Sequence, residues 1–249
     1  LQINQLPTTS LTQLQQDSLS YLANAPELLY GLSSKHLTQI GNKLVEHHTA
    51  AAFNQLQRAG AKHGLDIQIC SAFRDFERQS LIWNNKALGK RPVLDSQSKP
   101  LDISKLTHEQ LLKAILLWSA FPGSSRHHWG TDIDVFDAAS IDVNDLQLVS
   151  EEYQANGPCY ELYQWLRVNA ARFGFYFPFQ HGKSGVSAEP WHLSFYPVAK
   201  HFLDAFSTDA LAQVLDKSEV ELSDELVNDL PNLVSRYVRY VAPLPTSLR

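Results

Sequence analysis

The stretch Ser125-Arg126-His127-His128-Trp129-Gly130-Thr131-Asp132-Ile133-Asp134 constrains the fold most. It sets a histidine and an aspartate seven residues apart with a glycine between them, and its end alternates polar and apolar. Such a unit reads as a turn feeding a strand. Gly130 permits the tight backbone, and alternation over 132–136 puts Asp132 and Asp134 on one face and Ile133 and Val135 on the other. A second stretch, Glu189-Pro190-Trp191-His192, opens a strand over 191–196 and sets a carboxylate three residues before a histidine. Two histidines and one carboxylate suffice to hold catalytic zinc with a fourth position open for water, so His127, Asp134 and His192 are the candidate ligands. Glu189 is then a spare carboxylate placed to act as general base. A lone histidine is more often structural than a ligand; the joint pattern argues for the metal. His128 is the neighbouring alternative, and because adjacent side chains diverge, one of the two histidines reaches the metal.

Upstream, Leu65, Ile67 and Ile69 alternate as the inward side of a strand. Ser71-Ala72-Phe73-Arg74 follows directly, so Arg74 stands at a strand end, a usual place for functional side chains. It either pairs with a neighbour such as Asp75 or Glu77 or offers a fixed positive charge to the cleft. Asp75 caps a helix that runs to Leu88 and stops at Gly89. Apolar spacing predicts further helices over 10–22 with Ser10 as cap, 41–63, 108–120 capped by Thr107, and 160–173 closed by Gly174. Residues 175–177 form a short aromatic strand, and 178–188 a glycine-bearing loop able to cover a cleft. From Val198 the pattern is helical, through 211–215 and 227–241, until Pro243 and Pro245.

Read together, these residues resemble the zinc D-Ala-D-Ala peptidases typified by VanX dipeptidases and VanY carboxypeptidases. That signature is Ser-x-His-x-x-Gly-x-Ala-x-Asp followed by Glu-x-x-His, and Ser125, His127, Gly130, Asp134, Glu189 and His192 fall on it. The upstream Ser-x-x-Arg with a glutamine five residues on is matched by Ser71, Arg74 and Gln79. The resemblance spans roughly residues 43–196. It departs at the alanine position, which holds Asp132; this residue either accepts a hydrogen bond from a zinc histidine or is solvated at the strand's start. The resemblance implies Zn2+ as cofactor, Glu189 and Arg74 as catalytic groups, and Ser125 and Gln79 on the substrate side, Gln79 chiefly as support for Arg74. It implies peptidoglycan stem peptides as substrates. The expected activity is removal of a terminal D-alanine, with L,D-carboxypeptidase or endopeptidase action, or an inactive zinc-containing binding module, as alternatives.

Composition agrees with a folded enzyme. Of 249 residues, 44% are hydrophobic and 19% charged, a globular balance that argues against disorder. Net charge is −5, and no basic block suggests a nucleic-acid surface. No apolar run approaches the ~20 residues of a membrane span. The expected place of action is periplasmic or extracellular, with any export signal removed. Cys70 and Cys159 are too few for a disulfide framework; they form one bridge or stand as two buried thiols. The expected fold is α+β: a small, mainly antiparallel sheet packed against helices on one side. A catalytic domain over 36–198 is flanked by helical extensions over 1–35 and 199–249.

Overall fold

The computed structural model describes residues 11–245. The expected cap Ser10 lies outside them. The fold is α+β, as the alternating and helical stretches predict. Its centre is a four-stranded antiparallel sheet in the order β3-β4-β6-β5, formed by β3 (Ile67–Ser71), β4 (Asp132–Asp137), β6 (His192–Phe195) and β5 (Phe175–Tyr176). A separate hairpin pairs β1 (Leu37–Ile40) with β2 (Lys43–Glu46).

Strand alternation divides the sheet chemically. In the observed register Ile69 lies opposite Val135, Ile133 opposite Leu193, and Phe175 opposite Phe195. Ile133, Val135, Leu193, Phe175 and Phe195 are fully buried and belong to the main core. Burying each such side chain contributes about 1.5–3 kcal/mol. On the other face, Asp134 lies opposite both Ser71 and His192, and Asp132 opposite Ser194. One face of the sheet is therefore core and the other holds the chemistry.

Helix α2 (His47–Ala61) packs on the apolar side, where Gly60 lets Ile67 approach closely. Helices α1 (Leu11–Asn24) and α6 (Tyr196–Ala205) pack on each other. Helices α3 (Phe76–Ala87), α4 (His108–Leu116) and α5 (Tyr160–Asn169) complete the middle of the chain. Helices α7 (Thr208–Asp216), α8 (Ser223–Asn228) and α9 (Leu230–Val234) follow α6. One hydrophobic cluster runs from Leu14 to Val238. A smaller cluster of Phe136, Tyr153, Cys159 and Trp191 lies on the chemical face, and Cys70 packs against it. Both cysteines are free thiols, buried or half-buried like small hydrophobes, so no bridge forms. No helix among the described residues is long and apolar enough to cross a membrane.

Three predicted elements differ. The helix expected over 41–63 starts later, at His47. Its first residues form β2, where Leu44 is exposed and Val45 fully buried. The cause is Glu46, whose buried carboxylate accepts the backbone N–H groups of His48 at 3.0 Å and Thr49 at 2.8 Å and so fixes the helix start. The helix expected to reach Ala120 stops at Leu116; beyond it the carbonyls of Leu117 and Ala120 accept from the Ser187 backbone and the Gln79 side chain. The helix expected over 227–241 breaks at Asp229, because Pro231 has no N–H to continue the ladder.

Candidate metal centre

The turn that carries His127 is a 3-10 segment, Arg126–Trp129, closed by Gly130 at φ +68°. A side chain at Gly130 would both strain that backbone and meet the Leu37 side chain and the Glu46 nitrogen. The Glu46 N–H donates to the Gly130 carbonyl at 2.9 Å, so the β1–β2 hairpin holds the turn from outside. His127 is thereby set against β4 and β6, where Asp134 and His192 already face each other across the strands.

The three candidate ligands converge. His127 Nε2 lies 3.4 Å from Asp134 Oδ2, and His192 Nδ1 lies 3.2 Å from Asp134 Oδ1. The imidazole rings meet edge to face with centroids 4.8 Å apart. Tetrahedral zinc with bonds of about 2.0–2.1 Å separates its ligand atoms by about 3.4 Å, so the spacing fits. A second observation points the same way. Asp134 Oδ1 and His192 Nδ1, 3.2 Å apart, are both buried and make no well-formed hydrogen bond, to each other or to another group. Buried polar atoms without partners are rare and call for an explanation, and a cation between them supplies one. Among the described residues a second group of potential ligands, Asp17, His47 and His48, lies between α1 and α2. There His48 Nε2 and Asp17 Oδ2 bond each other at 2.8 Å, and His47 Nδ1 bonds the Tyr21 hydroxyl at 2.8 Å, so these atoms already have partners.

Electrostatics favour a divalent cation at the first group. Burial holds His127 down to about 4, leaving it neutral and able to donate a lone pair. Burial alone would raise Asp134, but His127, His192 and Arg74 bring it down to about 2. Burial likewise opposes charge on His192, yet Asp132, Asp134 and Glu189 outweigh it and hold its pKa well above the usual histidine range. In the metal-free chain His192 therefore carries a proton that a cation must displace.

Glu189 Oε2 lies 3.2 Å from His192 Nδ1. Burial raises its pKa above the ordinary carboxylate value, against the lowering influence of His192. It lines a cleft of about 600 Å³ with Tyr153, Tyr163, Phe179 and Gln180. Trp191 is buried beneath, its ring 5.7 Å from that of Tyr153.

Arg74 leaves the end of β3 beside the same centre. Its Nη1 donates to Gln79 Oε1 at 2.8 Å and its Nη2 to the Ser71 hydroxyl at 3.2 Å. Gln79 is fully buried, and its Nε2 donates to the Ala120 carbonyl at 2.6 Å. Both ends of the Gln79 amide are thus engaged in holding the guanidinium, and Gln79 stands behind Arg74. His128 faces away from the ligands: its Nδ1 meets the Arg74 carbonyl at 2.5 Å and its Nε2 accepts the Gly123 N–H at 3.1 Å. The ring fills the space that Gly31, at φ +77°, leaves by lacking a side chain. Ser125 is buried at the start of the turn, its hydroxyl making no capping bond.

Arg126, Thr131 and Ser194 were not among the residues singled out in the sequence. All three donate to Asp132, which is fully buried. The visible signal was Asp132 itself, a carboxylate where the motif has alanine.

The sequence profile described as VanY, D-alanyl-D-alanine carboxypeptidase, matches residues 42–198, more than half of the chain and all of the centre just described. The chain belongs to the VanY family. A D-alanyl-D-alanine carboxypeptidase of Enterococcus faecalis is 26% identical over 193 residues, covering 76% of this chain and 62% of that protein. An uncharacterised protein of Haemophilus influenzae is 45% identical over 100 residues, covering 38% of this chain and 68% of its own. The structure of VanYB in complex with D-alanine-D-alanine shares the fold, with a TM-score of 0.50 and 21% identity over 76% of this chain and 91% of that one. The VanY match leaves the α7–α9 region outside its bounds.

Proposed function

We propose that the protein is a zinc-dependent carboxypeptidase that removes a terminal D-alanine from peptidoglycan stem peptides, in the periplasm or outside the cell. The observation that carries this reading is the convergence of His127, Asp134 and His192, with buried atoms left unpartnered, beside Glu189 and Arg74. Membership of the VanY family supplies the substrate class. His127, Asp134 and His192 would hold the metal. When bound, zinc supplies Lewis acidity and lowers the pKa of water toward ~7.

The remaining chemistry belongs to the chain. Glu189, with its pKa raised by burial, takes a proton from the attacking water. The water oxygen joins the scissile carbonyl carbon, the amide C–N bond breaks, and Glu189 returns the proton to the nitrogen of the departing D-alanine. Arg74 faces the oxygen that turns negative in the transition state. It is held in place by Gln79 and Ser71, so it need not reorganise when charge develops.

The zinc-loaded protein should be incubated with stems of three, four and five residues and with an all-L peptide, and the products read by mass. The pentapeptide ending in D-Ala-D-Ala is expected to lose a single D-alanine. Release only from the tetrapeptide would replace this reading with an L,D-carboxypeptidase. Efficient cleavage of the all-L peptide would overturn it.

A further inference from the structure

We infer that Asp132, backed by Arg126, is a positioning residue that fixes the tautomer and orientation of His192 toward the metal. The inference rests on the zinc reading of the site. Asp132 Oδ1 receives Arg126 Nε at 2.8 Å and lies 3.0 Å from His192 Nε2. Its Oδ2 receives the hydroxyls of Thr131 at 2.8 Å and Ser194 at 3.0 Å. An ionised carboxylate only accepts hydrogen bonds, so His192 Nε2 carries the hydrogen. In a neutral imidazole the other nitrogen then holds the lone pair, and that nitrogen is Nδ1, the atom facing Asp134 and Glu189. The hydrogen bond from Nε2 thus decides that Nδ1 is the nitrogen that gives up its proton to a cation.

The lock is rigid. Arg126 Nη2 also donates to the Ser194 hydroxyl at 2.8 Å, closing a ring of Arg126, Asp132 and Ser194. The guanidinium packs over Trp129, 4.6 Å from the ring centroid. Asp132 and Ser194 are direct cross-strand partners, two rungs from Asp134 and His192 on the same face, so the anchor and the ligands share one stretch of ladder. Arg126 also answers a cost. A buried carboxylate beside a metal ligand needs a partner, and Arg126 supplies it at 2.8 Å. An alanine at position 132 could do none of this. Asp132, standing where the resembled motif has alanine, thus comes with its own counter-ion.

A purely structural role for the pair would change stability but neither zinc affinity per folded molecule nor the ring nitrogen used. The test is zinc competition with a chromophoric chelator on folded wild type and Asp132→Asn, together with nitrogen-15 shifts of the His192 ring in the zinc-loaded protein. Loss of such a supporting contact is expected to weaken zinc binding about 10–100-fold. The wild type should hold zinc through Nδ1 with hydrogen on Nε2. If Asp132→Asn fails to fold, the double variant Asp132→Ala with Arg126→Met removes the carboxylate and its buried counter-charge together. An unchanged zinc affinity in the folded variant, or zinc on Nε2 in the wild type, overturns the anchor while leaving the metal site standing. A wild type that binds no zinc overturns both.

Discussion

Replacing Glu189 by alanine is expected to lower kcat by about 10²–10⁴-fold, the usual contribution of a positioned general base. The folded variant should keep its zinc. The two expectations belong together because Glu189 stands beside the candidate ligands and outside their converging trio of His127, Asp134 and His192, at 3.2 Å from His192 Nδ1 and lining the cleft. Its burial keeps the proton-accepting group above the ordinary carboxylate range, closer to where proton transfer at neutral pH is efficient. Glu189→Gln is the sharper variant, since it preserves shape and removes only basicity. Steady-state kinetics on a pentapeptide stem, with zinc measured on the same sample, checks this. Near-normal turnover by a zinc-loaded variant would remove Glu189 from the mechanism.

Arg74→Ala carries the second large effect, and two roles for the arginine separate kinetically. A cation facing the oxyanion acts chiefly in the transition state, so its loss lowers kcat and kcat/KM together. A cation gripping the substrate carboxylate equally before and during reaction mainly raises KM. The geometry favours the first role. Gln79 and Ser71 both hold the guanidinium by hydrogen bonds, and the carboxylates that act on its charge are Asp134 and Glu189 of the centre itself. Removing one preorganised donor of this kind typically costs about 10²–10³ in kcat. Arg74→Lys should restore part of the loss at most, because an ammonium cannot meet Gln79 and Ser71 as a planar fork does. An unchanged kcat with a raised KM would assign Arg74 to substrate binding. No change in either would leave it a structural group.

Much of this centre is legible in the sequence because its pieces are local. His127 and Asp134 flank one turn and strand start, Glu189 and His192 lie three residues apart, and alternation in β4 puts Asp132 and Asp134 on one face without any knowledge of the partner strand. The inward set of β3 follows from the same rule. The role of Asp132 is not local. It depends on Ser194 and His192 arriving from a strand about sixty residues away and on Arg126 folding back within the turn, and no spacing in the chain specifies those meetings. The β1–β2 hairpin escaped for a different reason. Residues 41–63 carry helix-like apolar spacing throughout, and only the Glu46 carboxylate, buried as a cap, tells where strand ends and helix begins. The helical reading over 227–241 runs through Pro231 although the signal against it is local, since proline inside a helical pattern interrupts the ladder by construction.

The central claim is that His127, Asp134 and His192 hold a catalytic zinc. Elemental analysis of the purified wild type, His127→Ala, His192→Ala and Glu189→Ala, each checked for folding, tests it most directly. The wild type and Glu189→Ala are expected to carry a single zinc per chain, and both histidine variants to lose it along with all peptidase activity. Full zinc retention in both histidine variants would contradict the account.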